Sequence, residues 1–152
     1  MKRVLFLCTG NYYRSRLAEI LFNHLAQERG LGWLAESSGL HVQADGIINS
    51  GPISRYTRQF ATERNLPLEE PCRNPRQARD EEFAAADLVI AMKEAEHRQM
   101  MEEKYPHWAG KVRYWHIHDL DVIPNGGGLT DVESHVRKLV EQLAAGDTKL
   151  DE

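Results

Sequence analysis

The sequence predicts an α/β fold: a doubly wound parallel sheet with helices on both faces and an anion-binding loop after the first strand. Two observations carry this. Short apolar runs alternate along the chain with segments of helical periodicity, the βαβ order that forces parallel strands and right-handed crossovers. The first run, Val4-Leu5-Phe6-Leu7, passes straight into Cys8-Thr9-Gly10-Asn11 before a helical pattern begins. A turn thus stands at the carboxyl end of a strand, where such sheets bind ligands.

Each element has its own reason. Val4 to Leu7 is continuously apolar, as a central strand covered on both faces must be. From Ser15 the apolar residues Leu17, Ile20, Leu21 and Leu25 share one helical stripe, and Gly30 ends it. Trp33 to Ser37 reads as the second strand. Pro52, just after Gly51, reads as the first turn of a helix running to about Arg64. Asp87 to Met92 is a second buried strand, followed by a helix from Lys93 to Lys104, and Val112 to Ile117 is strand-like. Val132, Val136, Leu139, Val140 and Leu143 set the last helix, with Thr130 or Asp131 as its cap.

The 152 residues form no repeat and contain no linker-like tract, so one domain is expected over 1–152. Nineteen Lys+Arg against 23 Asp+Glu give a net charge of −4, which offers no global field for nucleic acid. The apolar run at the start is too short for a leader or for the roughly 20 residues of a membrane span. Two cysteines, Cys8 and Cys72, build no disulfide framework, and the expected compartment is the reducing cytoplasm.

The chemistry is concentrated in Cys8-Thr9-Gly10-Asn11-Tyr12-Tyr13-Arg14-Ser15, a C-x5-R-S stretch between strand and helix. A loop entering a helix N-terminus gathers backbone N–H groups and the positive end of the helix dipole around an anion. Gly10 permits a tight turn and Asn11 tolerates the left-handed region. Arg14 supplies a fork for two phosphate oxygens. A cysteine in such a field favours the thiolate, Ser15 would support it by a hydroxyl hydrogen bond, and the product is a nucleophile for phosphorus. A cysteine closing a buried strand is ordinarily inert core; the surrounding glycine, asparagine, arginine and serine point the other way.

This stretch resembles the phosphate loop of the low-molecular-weight protein tyrosine phosphatases, C-x-G-N-x-C-R-S-P. Glu36-Ser37-Ser38-Gly39, Arg76 to Phe83 with Asp87 to Met92, and Trp115-His116-Ile117-His118-Asp119 resemble further family segments. The resemblance implies a four-stranded sheet and hydrolysis of phosphotyrosine on protein substrates to inorganic phosphate, without cofactor, metal, nucleic acid or membrane span. It implies Cys8 as nucleophile, Arg14 as phosphate clamp and Asp119 as general acid, with Asp121 as the alternative. Thr9, Gly10, Asn11, Tyr12, Tyr13, Arg14 and Ser15 would bind the phosphate, with Asn11 and Ser37 holding the loop shape and Ser15 supporting the thiolate.

Five positions depart from the family pattern. Tyr13 stands for the second loop cysteine, Arg16 for the proline after the serine, Lys93 for an aspartate, and Arg73 for a histidine. Asp119-Leu120 stands for Asp-Pro, and Val122 to Gly128 replaces the usual aromatic rim. Three other readings attach to these residues. A metal-dependent hydrolase would use His116 and His118, which share a strand face. A thiol-dependent arsenate reductase would need cysteines after the third strand, where Ala91-Met92 stands. A catalytically impaired family member would bind phosphoproteins without turnover.

Overall fold

Four strands pair in the order β2-β1-β3-β4, all parallel, in a computed structural model that describes residues 1–42, 51–118 and 127–146. The elements are β1 (Lys2–Cys8), α1 (Arg14–Glu28), β2 (Trp33–Gly39), α2 (Arg55–Glu63), α3 (Asp80–Ala85), β3 (Leu88–Ala91), α4 (Glu94–Lys104), a 3-10 turn (Ala109–Lys111), β4 (Arg113–Tyr114) and α5 (Gly128–Ala144). From β1 the chain crosses to β2 on one side, then passes to β3 on the other. The strand order therefore reverses at β1, and the crevice at that reversal receives the loop 8–15.

Alternation along β1 sorts the core into two layers. Val4, Phe6 and Cys8 face α1, α2 and α5, packing with Leu17, Leu21, Phe22, Ala61, Val132 and Val136. Leu5 and Leu7 face the opposite layer, with Phe83 of α3, Met101 of α4 and Tyr114 of β4. With both faces covered, an apolar run at every position is what the fold requires.

Helix ends follow local chemistry. At α1, Gly30 takes φ 62°, Leu31 N–H donates to Ala26 O and Gly30 N–H to Gln27 O, closing the helix by left-handed reversal. Asn65, at φ 56°, does the same for α2, with Leu66 N–H on Ala61 O. The start of α2 differs from expectation. Pro52 precedes the helix, and Ser54 caps it by accepting from Tyr56 N–H at 3.2 Å; a side-chain acceptor here outweighs a favourable proline φ. The last helix also starts a turn earlier than its apolar stripe. Gly127 is its N-cap, and Thr130 and Asp131 lie in the first turn, where the Asp131 carboxylate complements the positive end of the helix dipole.

β4 is only two residues long. Beyond it the chain still runs beside β3, with Trp115 N–H on Ala91 O and Ile117 N–H on Met92 O, both 2.8 Å, and His116 bridges Lys93. The helix α3 is a six-residue element too short to produce a periodic signal; Arg79 N–H on Glu82 Oε1 at 3.0 Å starts it.

Candidate active site

Cys8 is the last residue of β1 and Arg14 the first of α1, so the intervening five residues form the loop between strand and helix. Tyr13 is the N-cap, and its side chain does not cap the first turn; an anion at the loop centre can take those N–H groups instead. The left-handed residue of the loop is Asn11, at φ 50°, and Gly10 does not need that freedom. Asparagine fits because its amide bonds locally, and here every bond is accounted for.

Asn11 Oδ1 accepts from Arg73 Nη1 at 2.9 Å and from Arg76 N–H at 3.2 Å. Neither donor can accept, so the amide nitrogen faces the other way. Nδ2 donates to Ser15 Oγ at 2.9 Å and to Ser37 Oγ at 3.0 Å. Ser15 Oγ lies 2.9 Å from Cys8 Sγ and, accepting from Asn11, keeps its own hydrogen for the sulfur. Ser37 Oγ also accepts from Arg73 Nη2 at 2.9 Å and donates to Glu19 Oε1 at 2.5 Å. Cys8, Asn11, Ser15 and Ser37 are all buried.

On the other side of the loop Arg14, 1 % exposed, is held by α4. Its Nη2 reaches Glu96 Oε2 at 2.9 Å and its Nη1 reaches Glu96 Oε1 at 3.3 Å and Ile117 O at 2.9 Å. Glu96 also accepts from the Thr9 hydroxyl and from His97 Nε2 at 3.0 Å. The His97 tautomer follows: Nδ1 accepts from Lys93 N–H at 3.0 Å, so the neutral ring carries its hydrogen on Nε2. Burial pushes the Glu96 carboxyl up, but hydrogen bonds from His97 and Arg14 and the charge of Arg14 overcome it and hold it well below the usual carboxylate range.

Neither Glu96 nor His97 is marked by a local motif. The available signal is an acidic residue in the first turn of the helix after β3, next to the carboxyl end of β1. Arg16 and Arg73 are visible in the sequence only as departures, and the structure places both behind the loop. Arg16, 4 % exposed, donates to Asn11 O (3.3 Å), Pro52 O (3.0 Å) and Arg73 O (2.8 Å), tying three segments through one guanidinium. Two glycines admit close backbone approaches. A Cβ on Gly39 would stand 2.7 Å from Thr9 O, and one on Gly128 would stand 2.5 Å from His118 O.

Tyr13 is buried in the core layer of α1, while Tyr12 is half-buried and its carbonyl accepts from Ser54 N–H at 3.0 Å. Lys93 Nζ lies 2.8 Å from His118 Nδ1. Asp119 and Asp121 lie outside the described residues. Cys72 lines a cavity of about 240 Å³ behind the loop with Arg16, Glu19 and Arg73, and both cysteines are free thiols. Among the described residues no group of three His, Cys, Asp or Glu side chains could hold a metal, and no helix is long and apolar enough to cross a membrane.

A four-stranded parallel sheet whose strand order reverses at β1, where a strand-to-helix loop carries Cys8 and Arg14, defines a doubly wound α/β protein. Residues 3–148 match the family model described as low molecular weight phosphotyrosine protein phosphatase, and the chain belongs to that phosphatase family. It is 28% identical over 146 residues, 92% of this chain and 90% of the relative, to a protein named protein-arginine-phosphatase from Bacillus subtilis (strain 168). It is 33% identical over 132 residues, 86% of this chain and 75% of the relative, to a low molecular weight protein-tyrosine-phosphatase from Streptomyces coelicolor. The solved structure of a low molecular weight protein tyrosine phosphatase from T. tengcongensis superposes with TM-score 0.75 at 26% identity, covering 93% of this chain and 99% of that one. A Bacillus subtilis YwlE mutant superposes with TM-score 0.76 at 23% identity, covering 94% and 99%.

Proposed function

We propose that this chain hydrolyses phosphotyrosine on protein substrates through a phosphocysteine at Cys8. The observation that supports it most is the 2.9 Å contact of Cys8 Sγ with Ser15 Oγ at the start of α1. The sulfur sits where a bound phosphoryl group would meet the loop N–H groups and the helix dipole. The thiolate attacks phosphorus, the S–P bond forms as the ester P–O bond breaks, and the leaving oxygen takes a proton from Asp119. Water then attacks the phosphocysteine, the S–P bond breaks, and inorganic phosphate leaves with the thiolate restored. Arg14 clamps the equatorial oxygens, its guanidinium plane set by Glu96 and Ile117 O. Asp119 is favoured over Asp121 because the Trp115-x-Ile117-x-Asp119 spacing fits the family pattern best.

A second reading, hydrolysis of phosphoarginine, is favoured by the Bacillus subtilis relative named for that activity. The tyrosine reading is supported by the family model matching residues 3–148, which is described as phosphotyrosine protein phosphatase. Cys8 and Cys72 as unpaired thiols support a cytoplasmic protein, and residues 1–152 would act as one phosphatase domain. Steady-state assays on peptides carrying phosphotyrosine or phosphoarginine test the reading. Turnover of the tyrosine peptide is expected, lost in Cys8→Ser with phosphate binding retained. Undiminished turnover in that variant overturns the mechanism, and exclusive turnover of phosphoarginine overturns the substrate.

A further inference from the structure

We propose that the cleft between α2 and α5 receives the residues flanking the phosphorylated one in an acidic phosphopeptide substrate. A large apolar side chain lies in the cleft, and an acidic residue meets Arg55 at its entrance. This rests on the phosphotyrosine phosphatase reading and extends it from the phosphate to the chain around it. The cleft measures about 500 Å³ and is lined by Tyr56, Gln59 and Phe60 of α2 and by Leu129 and Thr130 of α5. Tyr56 and Phe60, four residues apart on one helix face, form an aromatic wall, and Leu129 adds apolar surface from α5. Arg64, at the far end of α2, lies over the Phe60 ring at 3.5 Å and bonds Glu133 of α5 at 2.9 Å.

The cleft continues from the phosphate loop, because both helices start against it. The Thr57 hydroxyl of α2 donates to Tyr13 O at 3.1 Å, and a Cβ on Gly128 of α5 would stand 3.5 Å from the Tyr13 hydroxyl. Ser54 N–H donates to Tyr12 O at 3.0 Å, and Tyr56 N–H returns to Ser54 Oγ. Tyr56 is thus two residues and one hydrogen bond from the loop, about 10 Å, which an extended peptide spans in roughly three residues. The arginines of α2 and its cap differ in how their charge is used. Arg58 pairs with Glu70 and Arg64 with Glu133. Arg55 is exposed, rests on the Tyr56 ring at 4.8 Å and donates to its hydroxyl at 2.8 Å, with no carboxylate partner among the described residues. Tyr12 of the loop lies within electrostatic reach of the same guanidinium. Stacking holds that fork at the cleft wall and leaves its charge for an incoming carboxylate.

The test compares kcat and KM for phosphotyrosine peptides with those for p-nitrophenyl phosphate, which is too small to reach the cleft. The peptides carry Leu and Glu, Ala and Glu, or Leu and Lys within three residues of the phosphotyrosine, on either side in turn. Exchanging Leu for Ala is expected to raise KM roughly tenfold or more, the scale of one apolar side chain returned to water, with kcat changing less. Exchanging Glu for Lys should cost roughly two- to fivefold, the scale of an exposed ion pair. Gln59→Trp fills the cleft from an exposed position and should abolish the preference for Leu over Ala. Arg55→Glu, also at an exposed position, should reverse the preference for Glu over Lys. Equal kcat/KM for all peptides with the wild-type protein overturns the proposal, as do preferences unchanged in both variants. A fall shared equally by peptide and p-nitrophenyl phosphate in both variants marks a structural effect and overturns it too. The phosphatase reading fails separately, if the wild-type protein turns over neither substrate.

Discussion

Arg14 is buried and must be both held and available. Glu96 resolves this by meeting the guanidinium with two oxygens while Thr9 and His97 fix the carboxylate in turn. Because the folded state holds that carboxyl below its ordinary value of 4.5, the stability it contributes is present above pH 4.5 and lost as pH falls below it. Glu96→Gln is therefore expected to flatten the acid limb of the stability curve, measured by denaturant unfolding between pH 3 and pH 7. An unchanged slope below pH 4.5 would show that Glu96 is not the group being titrated. The same variant should lower kcat/KM at pH 7, since a neutral amide holds Arg14 less firmly.

At the scale of elements, β1 is both the central strand and the support of the loop, so its packing bears on the position of Cys8. Phe6, two residues before Cys8 on the same face, is fully buried between Phe22 of α1, with centroids 6.0 Å apart, and Trp115 beyond β4, at 5.8 Å. Phe6→Ala is expected to cost about 3–5 kcal/mol in chemical denaturation. A loss below 1 kcal/mol would mean that α1 and the segment after β4 collapse onto the vacated space. β1 and the long helices α1 and α5 are legible in the sequence because each buries a continuous face. β4 and α3 are not. Two paired residues and a six-residue helix leave no period to read, and their places depend on β3 and on the Arg79–Glu82 hydrogen bond.

Across the whole molecule, the two thiols differ in surroundings. Cys8 Sγ faces Ser15 in the loop, while Cys72 lines the rear cavity with Arg58 Nη2 at 3.5 Å from its sulfur. The Arg16 guanidinium lies between their segments, bound to Asn11 O on one side and Arg73 O on the other. A disulfide would have to displace it, and Tyr13 fills the place in the loop where the family carries a second cysteine. Peroxide is therefore expected to carry Cys8 through sulfenic acid to irreversible acids, with poor recovery by dithiols. Mass spectrometry of the treated protein checks this; a dominant Cys8–Cys72 disulfide with full recovery would refute it.

The sequence by itself determined the parallel α/β architecture and the loop from Cys8 to Ser15, because both are written in contiguous residues: apolar runs, a helical stripe and a C-x5-R-S spacing. Only the tertiary structure decided what surrounds that loop. Glu96 and His97 arrive from a helix more than eighty residues on, and Arg73 and Ser37 from two further connections that meet at the carboxyl ends of the strands. Such partners are chosen by burial and by the need of each polar atom for a hydrogen bond, and neither leaves a spacing in the chain.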